Sequence, residues 1–443
     1  MSRGPRYTFR HEPAADGSGD RFVVEHRRHR AARGLLPAAL LAWHHVGYPL
    51  ALWAVDRAVT RRDAQDAAKP APAPGEPPAH RRCSSPTPTP GRTRDSSQNN
   101  GALPPLPSVA LVIPAHNEAA VIREKIATSL ALDYPRELLR IVVAADGCTD
   151  DTVQAAELAG ADVVLDLPRG GKMAAQHAAI ADLTEPIVAF SDANSVWEPG
   201  ALRALVEALA PKDVGYACGH VTFVDADGGG NQEGLYWRYE MAIRERESRL
   251  QSVTAGNGAI YAIKRGAYPA YRFDPVMGHD LAMPFQFVRA GWRAVDVPGA
   301  KATEKMVPTI EGELRRKRRM MSHAWPIVLR AGLLDLRGQP PGYALMLVSH
   351  RWLRYFGPAL HLWLAVGSLR GARHSWASRL LVLGQLKLLA FAAKPDLVPA
   401  GPLRKLTLVA RYYVATNASI ALGLRDHLVD GTQASWTPPE GTR

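Results

Sequence analysis

Glu118, Asp146, Asp192 and Asp280 follow one another through the middle of a 443-residue chain, each at a boundary between local patterns. Glu118 lies just after the apolar run 109–113, Asp146 and Asp192 each end a further apolar run, and Asp280 opens a helical stretch. Carboxylates gathered at strand ends can orient a ligand and hold a hard divalent cation through oxygen. A further carboxylate, kept ionised beside a helix start, can take the proton of an attacking hydroxyl. In Ser191-Asp192-Ala193-Asn194 a carboxylate and an amide two positions apart can reach one cation. Alone this reads equally as an Asx turn, but it follows an apolar strand in the same layer as Asp146. Arg169-Gly170-Gly171-Lys172 offers close backbone approach and a positive charge, which suits a phosphate. The plainer reading of that segment is a basic turn.

These side chains need a scaffold, and residues 108–305 supply its pattern. Runs 109–113 and 187–190 are apolar throughout, 140–145 and 161–165 are apolar but for Arg140 and Asp162, and all four alternate with helical stretches. A strand apolar on both faces is one covered by helices on both sides. The expected fold is therefore α/β, a doubly wound and mainly parallel sheet. Ligands of such sheets sit outside the carboxyl ends of the strands, where Glu118, Asp146 and Asp192 fall. Thr149 or Asp150 is placed to cap the helix after Asp146. There is no GxGxxG after the first strand and no Walker lysine loop, which argues against a dinucleotide dehydrogenase and a P-loop NTPase.

The segments "VALVIPAHNEAAVI", "VVAADGCTDDT", "GGKMAAQHAAI" and "AFSDANSVW" closely resemble the successive motifs of family 2 glycosyltransferases, inverting enzymes of GT-A fold. "LYWRYEMAIRERES" and "TAGNGAIYAIKR" look like the membrane-associated branch that extends polysaccharides or glycosylates lipid-linked acceptors. The resemblance runs from about residue 109 to 321, and more weakly to "VGYPLALW" and "SWTPPEGTR". It implies that Glu118 and Asp146 hold the uracil and ribose side of a UDP-type donor, with Lys172 near the nucleotide. It places Asp192 at the diphosphate and its Mg²⁺ or Mn²⁺, with Asn194 where a second metal-side carboxylate is usual. Asp280 would be the general base, the alternative being a helix cap, and His279 stands where the family has an acid. Gly256 and Asn257 would shape the acceptor floor, against a simple turn. Arg316 and Arg319 take the Gln and Arg places of the QxxRW-like element that binds the departing diphosphate. Met320 replaces the tryptophan of processive synthases. Trp237 and Tyr239 read as core aromatics sooner than as sugar platforms.

Composition sets the surroundings. The chain carries a formal net charge of +12, of which roughly +7 lies in residues 1–107. Three cysteines, Cys83, Cys148 and Cys218, form no CxxC pair, so neither a disulfide framework nor a zinc module is expected. Residues 1–34 read as a basic tail, 35–59 as a transmembrane or interfacial helix interrupted by His44, His45 and Pro49, and 60–107 as a disordered Pro-rich linker. Arginines flank the apolar run on both sides, so charge does not choose its orientation. Residues 306–443 combine the basic run 313–321 with apolar stretches 355–369, 380–393 and 406–424, which suit helices lying on or partly in a membrane better than a many-helix pore. A basic run alone would suggest nucleic acid; its place in the motif series assigns it to diphosphate instead, and no nucleic-acid partner is expected. The expectation is a glycosyltransferase at the cell membrane with a cytoplasmic catalytic domain, acting on a nucleotide-sugar donor and a lipid-linked or glycan acceptor. A sugar nucleotidyltransferase and a non-catalytic scaffold are the rivals.

Overall fold

A computed structural model describes residues 8–13, 20–25, 28–67, 105–224, 233–268, 279–305, 310–393, 398 and 401–432. Residues 68–104 of the expected linker lie outside the described residues, as does the terminal "SWTPPEGTR", while its first residues, 60–67, are helical. The chain opens with a two-stranded ribbon, β1 (Thr8–Pro13) and β2 (Asp20–Glu25). Next come α1 (Arg28–Ala42) and α2 (Tyr48–Ala67), joined by the π-helical turn Trp43–Gly47. This rod extends past both ends of the expected 35–59 segment. Pro49 fits inside it without an orphaned acceptor: it has no N–H to offer the His45 carbonyl, and the Tyr239 hydroxyl donates to that oxygen at 3.2 Å.

The α/β unit follows: β3 (Val109–Ala115), α3 (Ile122–Leu130), β4 (Leu139–Asp146), α4 (Thr152–Leu158), β5 (Val163–Leu167), α5 (Lys172–Ala181), β6 (Ile187–Ser191), β7 (Val196–Trp197), α6 (Ala201–Ala208) and β8 (Val214–Val224). Then come α7 (Glu233–Leu250), β9 (Ile260–Lys264), α8 (His279–Arg289) and β10 (Arg293–Lys305). The eight strands form one sheet in the order β5-β4-β3-β6-β9-β8-β10-β7. Strands β5 to β6 are parallel, β9 is antiparallel to both its neighbours, and β10 is parallel to β8 but antiparallel to β7. The mainly parallel α/β fold expected from the sequence is the fold observed.

Alternation explains why β3 is apolar at every position. Val109, Leu111, Ile113 and Ala115 enter the core beneath α3, α4 and α6, while Ala110 and Val112 enter the opposite core with α5, α7, α8 and α9. Strand β5 begins two residues later than its apolar run, because Asp162 turns its carboxylate to the Ile141 N–H at 2.7 Å. Asp150 caps the first turn of α4, accepting the Thr152 N–H at 3.1 Å.

The remaining helices are α9 (Ile310–Arg330), α10 (Pro341–Met346), a second π-helical turn Leu347–Trp352, α11 (Leu353–Tyr355), α12 (Gly357–Gly371), α13 (Trp376–Ala393) and α14 (Pro402–Val429). The amino-terminal rod meets these helices. Leu41 of α1 packs with Leu353, Leu360 and Leu364, and Tyr48 and Leu52 of α2 join the core of the catalytic unit. Among the described residues, two helical segments are long and apolar enough to cross a membrane, Leu35–Gln65 and Trp376–Ala393. The second is longer than its apolar run 380–393 because the helix starts at Trp376.

Candidate active site at the carboxyl ends of the strands

Where β3, β4 and β6 end, a pocket is lined by Pro114, Ala115, His116, Glu118, Asp146, Lys172, Asp192, Ala193 and Asn194. Five residues singled out in the sequence, separated by up to 76 positions, thus share one depression. Parallel strands with matched register bring this about, since β3 pairs residue for residue with β4 on one side and β6 on the other.

Local chemistry sets each wall. Asn117 has a left-handed backbone, φ 54°, that turns the chain sharply after β3. Its amide oxygen accepts the Thr149 N–H at 2.8 Å, the Glu118 N–H donates to Thr152 Oγ1 at 2.8 Å, and the Ala119 N–H donates to Asp150 Oδ2 at 3.1 Å. The loop after β3 is thereby zipped to the loop after β4. His116 joins in through Nδ1, 2.7 Å from the Asp146 carbonyl.

Asp146 is more committed than its sequence position suggests. Its Oδ1 accepts the Gly170 N–H at 2.6 Å and the Gly171 N–H at 3.0 Å, and its Oδ2 meets Arg169 Nη1 at 2.9 Å. One carboxylate therefore gathers the Arg169-Gly170-Gly171 turn. Gly171, at φ 91°, supplies the backbone angle that directs Lys172 into the pocket at the start of α5. Lys172 Nζ makes an ion pair with Asp192 Oδ1 and lies 3.5 Å from the Gly258 carbonyl. The segment weighed in the sequence as a basic turn or a phosphate-binding element is a tight turn gathered by the Asp146 carboxylate.

Lys125 escaped sequence reasoning. It sits on α3 beneath the Asp192 loop, almost completely buried, with Nζ donating to the Ser195 carbonyl at 2.7 Å and lying 5.3 Å from the centre of the Trp197 ring. Burial pushes its ammonium pKa down to about 7, against the opposing pull of Asp192 and Glu304. A lysine in an amphipathic helix gives no local sign that a strand-end loop will close over it.

The residues expected on the acceptor side and at the diphosphate divide. Gly256 is dictated from below: a Cβ there would collide with the Tyr216 hydroxyl, and its carbonyl accepts from Arg244 Nη2 at 2.8 Å. Packing against Tyr216 is a reason for glycine that sequence reasoning did not supply. Asn257 caps its own turn, accepting the Ala259 N–H at 3.2 Å. His279 and Asp280 form the first residues of α8, and their side chains lie outside the described set, as does that of Trp237. Tyr239 is half-buried at the junction with the amino-terminal rod. Arg316 and Arg319 are half-buried on α9, Arg316 with its guanidinium 5.4 Å from the Phe223 ring at the end of β8, and neither lines the pocket among the described residues. Met320 is exposed.

The donor set at Asp192 and Asn194 is one carboxylate and one amide. Among the described residues no three His, Cys, Asp or Glu side chains converge as a metal cage. Such a pair fits a hard cation that completes its shell with water and substrate phosphate oxygens, and does not fit one held by protein alone.

Comparison with known proteins agrees with this geometry. Residues 104–322 match the family model described as "Glycosyltransferase like family 2". No curated protein matches the chain. Among solved structures, the mannosyltransferase PcManGT from Pyrobaculum calidifontis, in complex with GDP-Man and Mn²⁺, superposes with a TM-score of 0.59 at 21% identity, covering 90% of this chain and 99% of that one. Glucosyl-3-phosphoglycerate synthase from Mycobacterium tuberculosis, in complex with Mn²⁺, UDP and glucosyl-3-phosphoglycerate, gives a TM-score of 0.36 at 22% identity over 51% of this chain and 80% of that one. Residues 104–322 are therefore a glycosyltransferase domain of the family 2 type, built on the GT-A fold.

Proposed function

We propose that the chain is an inverting glycosyltransferase that moves a sugar from a nucleoside diphosphate donor, UDP-linked in the first instance, to a lipid-linked or glycan acceptor at a membrane. The observation that carries this reading is the convergence of Glu118, Asp146, Lys172, Asp192 and Asn194 on one pocket at the carboxyl edge of the sheet. Glu118 and the turn organised by Asp146 face the nucleoside, and Lys172 faces the diphosphate. Asp192 and Asn194 would hold Mg²⁺ or Mn²⁺, which when bound supplies positive charge to the departing diphosphate. The Mn²⁺ complex of the mannosyltransferase supports this assignment by analogy of fold.

Asp280 opens α8, so its carboxylate is attached where backbone N–H groups favour the ionised form. In that form it takes the proton of the acceptor hydroxyl as the oxygen attacks the anomeric carbon opposite the leaving diphosphate. Arg316 and Arg319 of α9 are the residues that meet the leaving diphosphate. Membrane attachment is supported by Leu35–Gln65 and Trp376–Ala393 and by the packing of the first beside the catalytic unit through Tyr48 and Leu52. A cytoplasmic catalytic domain follows from where nucleotide-sugars are made.

The deciding experiment measures nucleotide release from UDP-, GDP- and dTDP-sugars with and without Mn²⁺, for the full chain and for Asp280→Asn. Metal-dependent release with one donor class, reduced about a hundredfold or more in Asp280→Asn, is expected. Release from no donor, or an undiminished variant, would defeat the reading. GDP-sugar turnover without UDP-sugar turnover would reassign the base while leaving the reaction intact.

A further inference from the structure

Behind the pocket lies a buried ionic network that the reaction as described does not use. Glu240 and Glu247 stand two turns apart on α7, and His350 lies between them on the second π-helical turn. His350 Nδ1 is 2.8 Å from Glu247 Oε1, and Nε2 is 3.2 Å from Glu240 Oε1. Arg351 Nη1 and Arg354 Nη1 reach Glu240 at 3.2 and 3.3 Å. Glu240, Glu247, His350 and Arg351 are at most 5% exposed. Removing such charges from water is costly, and apolar side chains of the same volume would often stabilise the fold as well or better. Geometry, more than stability, is what a network of this kind supplies.

Its geometry is directed at a single loop. Thr254 Oγ1 donates to Glu247 Oε2 at 2.9 Å, accepts from Arg351 Nε at 2.8 Å and lies 3.3 Å from His350 Nδ1. The preceding Val253 carbonyl accepts from Tyr343 at 2.9 Å, and the following Gly256 carbonyl accepts from Arg244. Four residues after Thr254, the Gly258 carbonyl stands beside Lys172, the partner of Asp192. The loop is thus pinned at one end by the ionic network and abuts the pocket at the other. Tyr48 of the amino-terminal rod also donates to Glu247, at 2.6 Å, so three separate parts of the sequence share in holding it.

We propose that His350 is a positioning residue, acting through Glu247 and Thr254 to fix the loop 254–258 against Lys172 and so the acceptor-side wall of the site. This rests on the reading of the pocket as a donor site, but its physical core, control of the loop by His350, is testable without turnover. A rigid loop keeps the acceptor hydroxyl and the Lys172–Asp192 pair in register, and a loop released by about 1 Å loses rate far more than donor affinity.

The test uses the full chain in detergent micelles, with His350→Gln and, as an independent break at the other end of the contact, Thr254→Val. Hydrogen exchange is followed across residues 253–259 and, as an internal reference, across β3. Exchange in the loop is expected to rise about tenfold or more in both variants while β3 stays protected. Affinity for UDP and GDP with Mn²⁺ is expected to stay within about threefold, and donor turnover to lose about tenfold in kcat with little change in KM. A loop that exchanges as in wild type, a loop and β3 that loosen together, a donor KM that rises with kcat intact, or variants that both fail to fold would each overturn the proposal. If wild type turns over no donor, the functional reading falls, and the exchange data still decide the role of His350.

Discussion

Asn194 is the residue whose chemistry departs furthest from what a metal-assisted transferase needs. An amide oxygen beside Asp192 leaves the pair with a single negative charge, and cation affinity at oxygen sites follows ligand charge. Asn194→Asp is expected to lower the Mn²⁺ concentration for half-maximal donor turnover by about tenfold, and Asp192→Asn to raise it by at least as much. A metal titration of the three proteins checks both; an Asn194→Asp protein with the wild-type midpoint would remove this residue from the metal shell. Gly256 makes a sharper structural demand, because the Tyr216 hydroxyl fills the space a Cβ would take. Gly256→Ala is expected to cost about 1–3 kcal/mol in chemical denaturation as the loop shifts off a fully buried tyrosine. The same shift should depress turnover, and Gly256→Ala combined with Tyr216→Phe should recover part of the stability, since the colliding oxygen is then gone.

At the scale of elements, the second π-helical turn is where pH acts on the fold. Burial lowers the His350 pKa, and the Arg351 charge works in the same direction, but the Glu240 and Glu247 carboxylates outweigh both and leave it above the ordinary 6.5. His44 and Tyr48 of the amino-terminal rod, Tyr343 and Arg354 also face this network. A raised folded-state pKa means that the protonated ring stabilises the fold, fully below about 6.5 and progressively less as pH climbs through the raised value. Denaturation midpoints measured from about pH 6 to about pH 9 are expected to fall for wild type relative to His350→Gln, whose profile lacks this component. Parallel profiles would show that the charge on His350 is not coupled to folding. The first π-helical turn was foreshadowed only as a weakness, in Pro49 and the His44-His45 pair. The structure accommodates the proline because Tyr239, nearly two hundred residues away in sequence, donates to the carbonyl it leaves free.

The whole molecule joins a polar catalytic unit to helices with apolar outer faces. Leu50 and Trp53 on α2, Leu362 and Trp363 on α12, and Leu380, Leu383, Leu386 and Leu389 on α13 are exposed. On the proposed membrane reading, an apolar face of this extent would be held to a bilayer by removal of surface from water, an interaction that salt does not screen. The full chain is expected to float with vesicles of neutral phospholipid and to stay bound after a wash in about 1 M NaCl. Release by salt would mean that the arginines, not the leucines, make the attachment. The amino-terminal rod is also a structural member of the catalytic unit, since Asp56 pairs with Arg249 at 2.6 Å and Tyr48 with Glu247.

The sequence by itself determined the parallel strands β3 to β6, the helices that cover them on both sides and the carboxyl-edge placement of Glu118, Asp146 and Asp192, because strand periodicity and strand-end chemistry are local properties written within a few residues; the antiparallel insertion of β9 came only with the tertiary structure. It also determined the glycosyltransferase class, since the motifs recur in order at the ends of those strands. Tertiary structure alone decided that the Asp146 carboxylate gathers the Arg169–Gly171 turn, that Lys125 is sealed beneath the Asp192 loop, that Gly256 yields to Tyr216, and that His350 bridges two carboxylates on α7. Each of these joins groups at least 23 residues apart, and the bond from Tyr48 to Glu247 joins groups 199 apart. Neither partner's neighbourhood distinguishes it from an ordinary surface or core residue. Their pairing is created only when the hydrophobic faces of separate elements close on one another, and burial then turns an unremarkable charge or hydroxyl into one that must be matched.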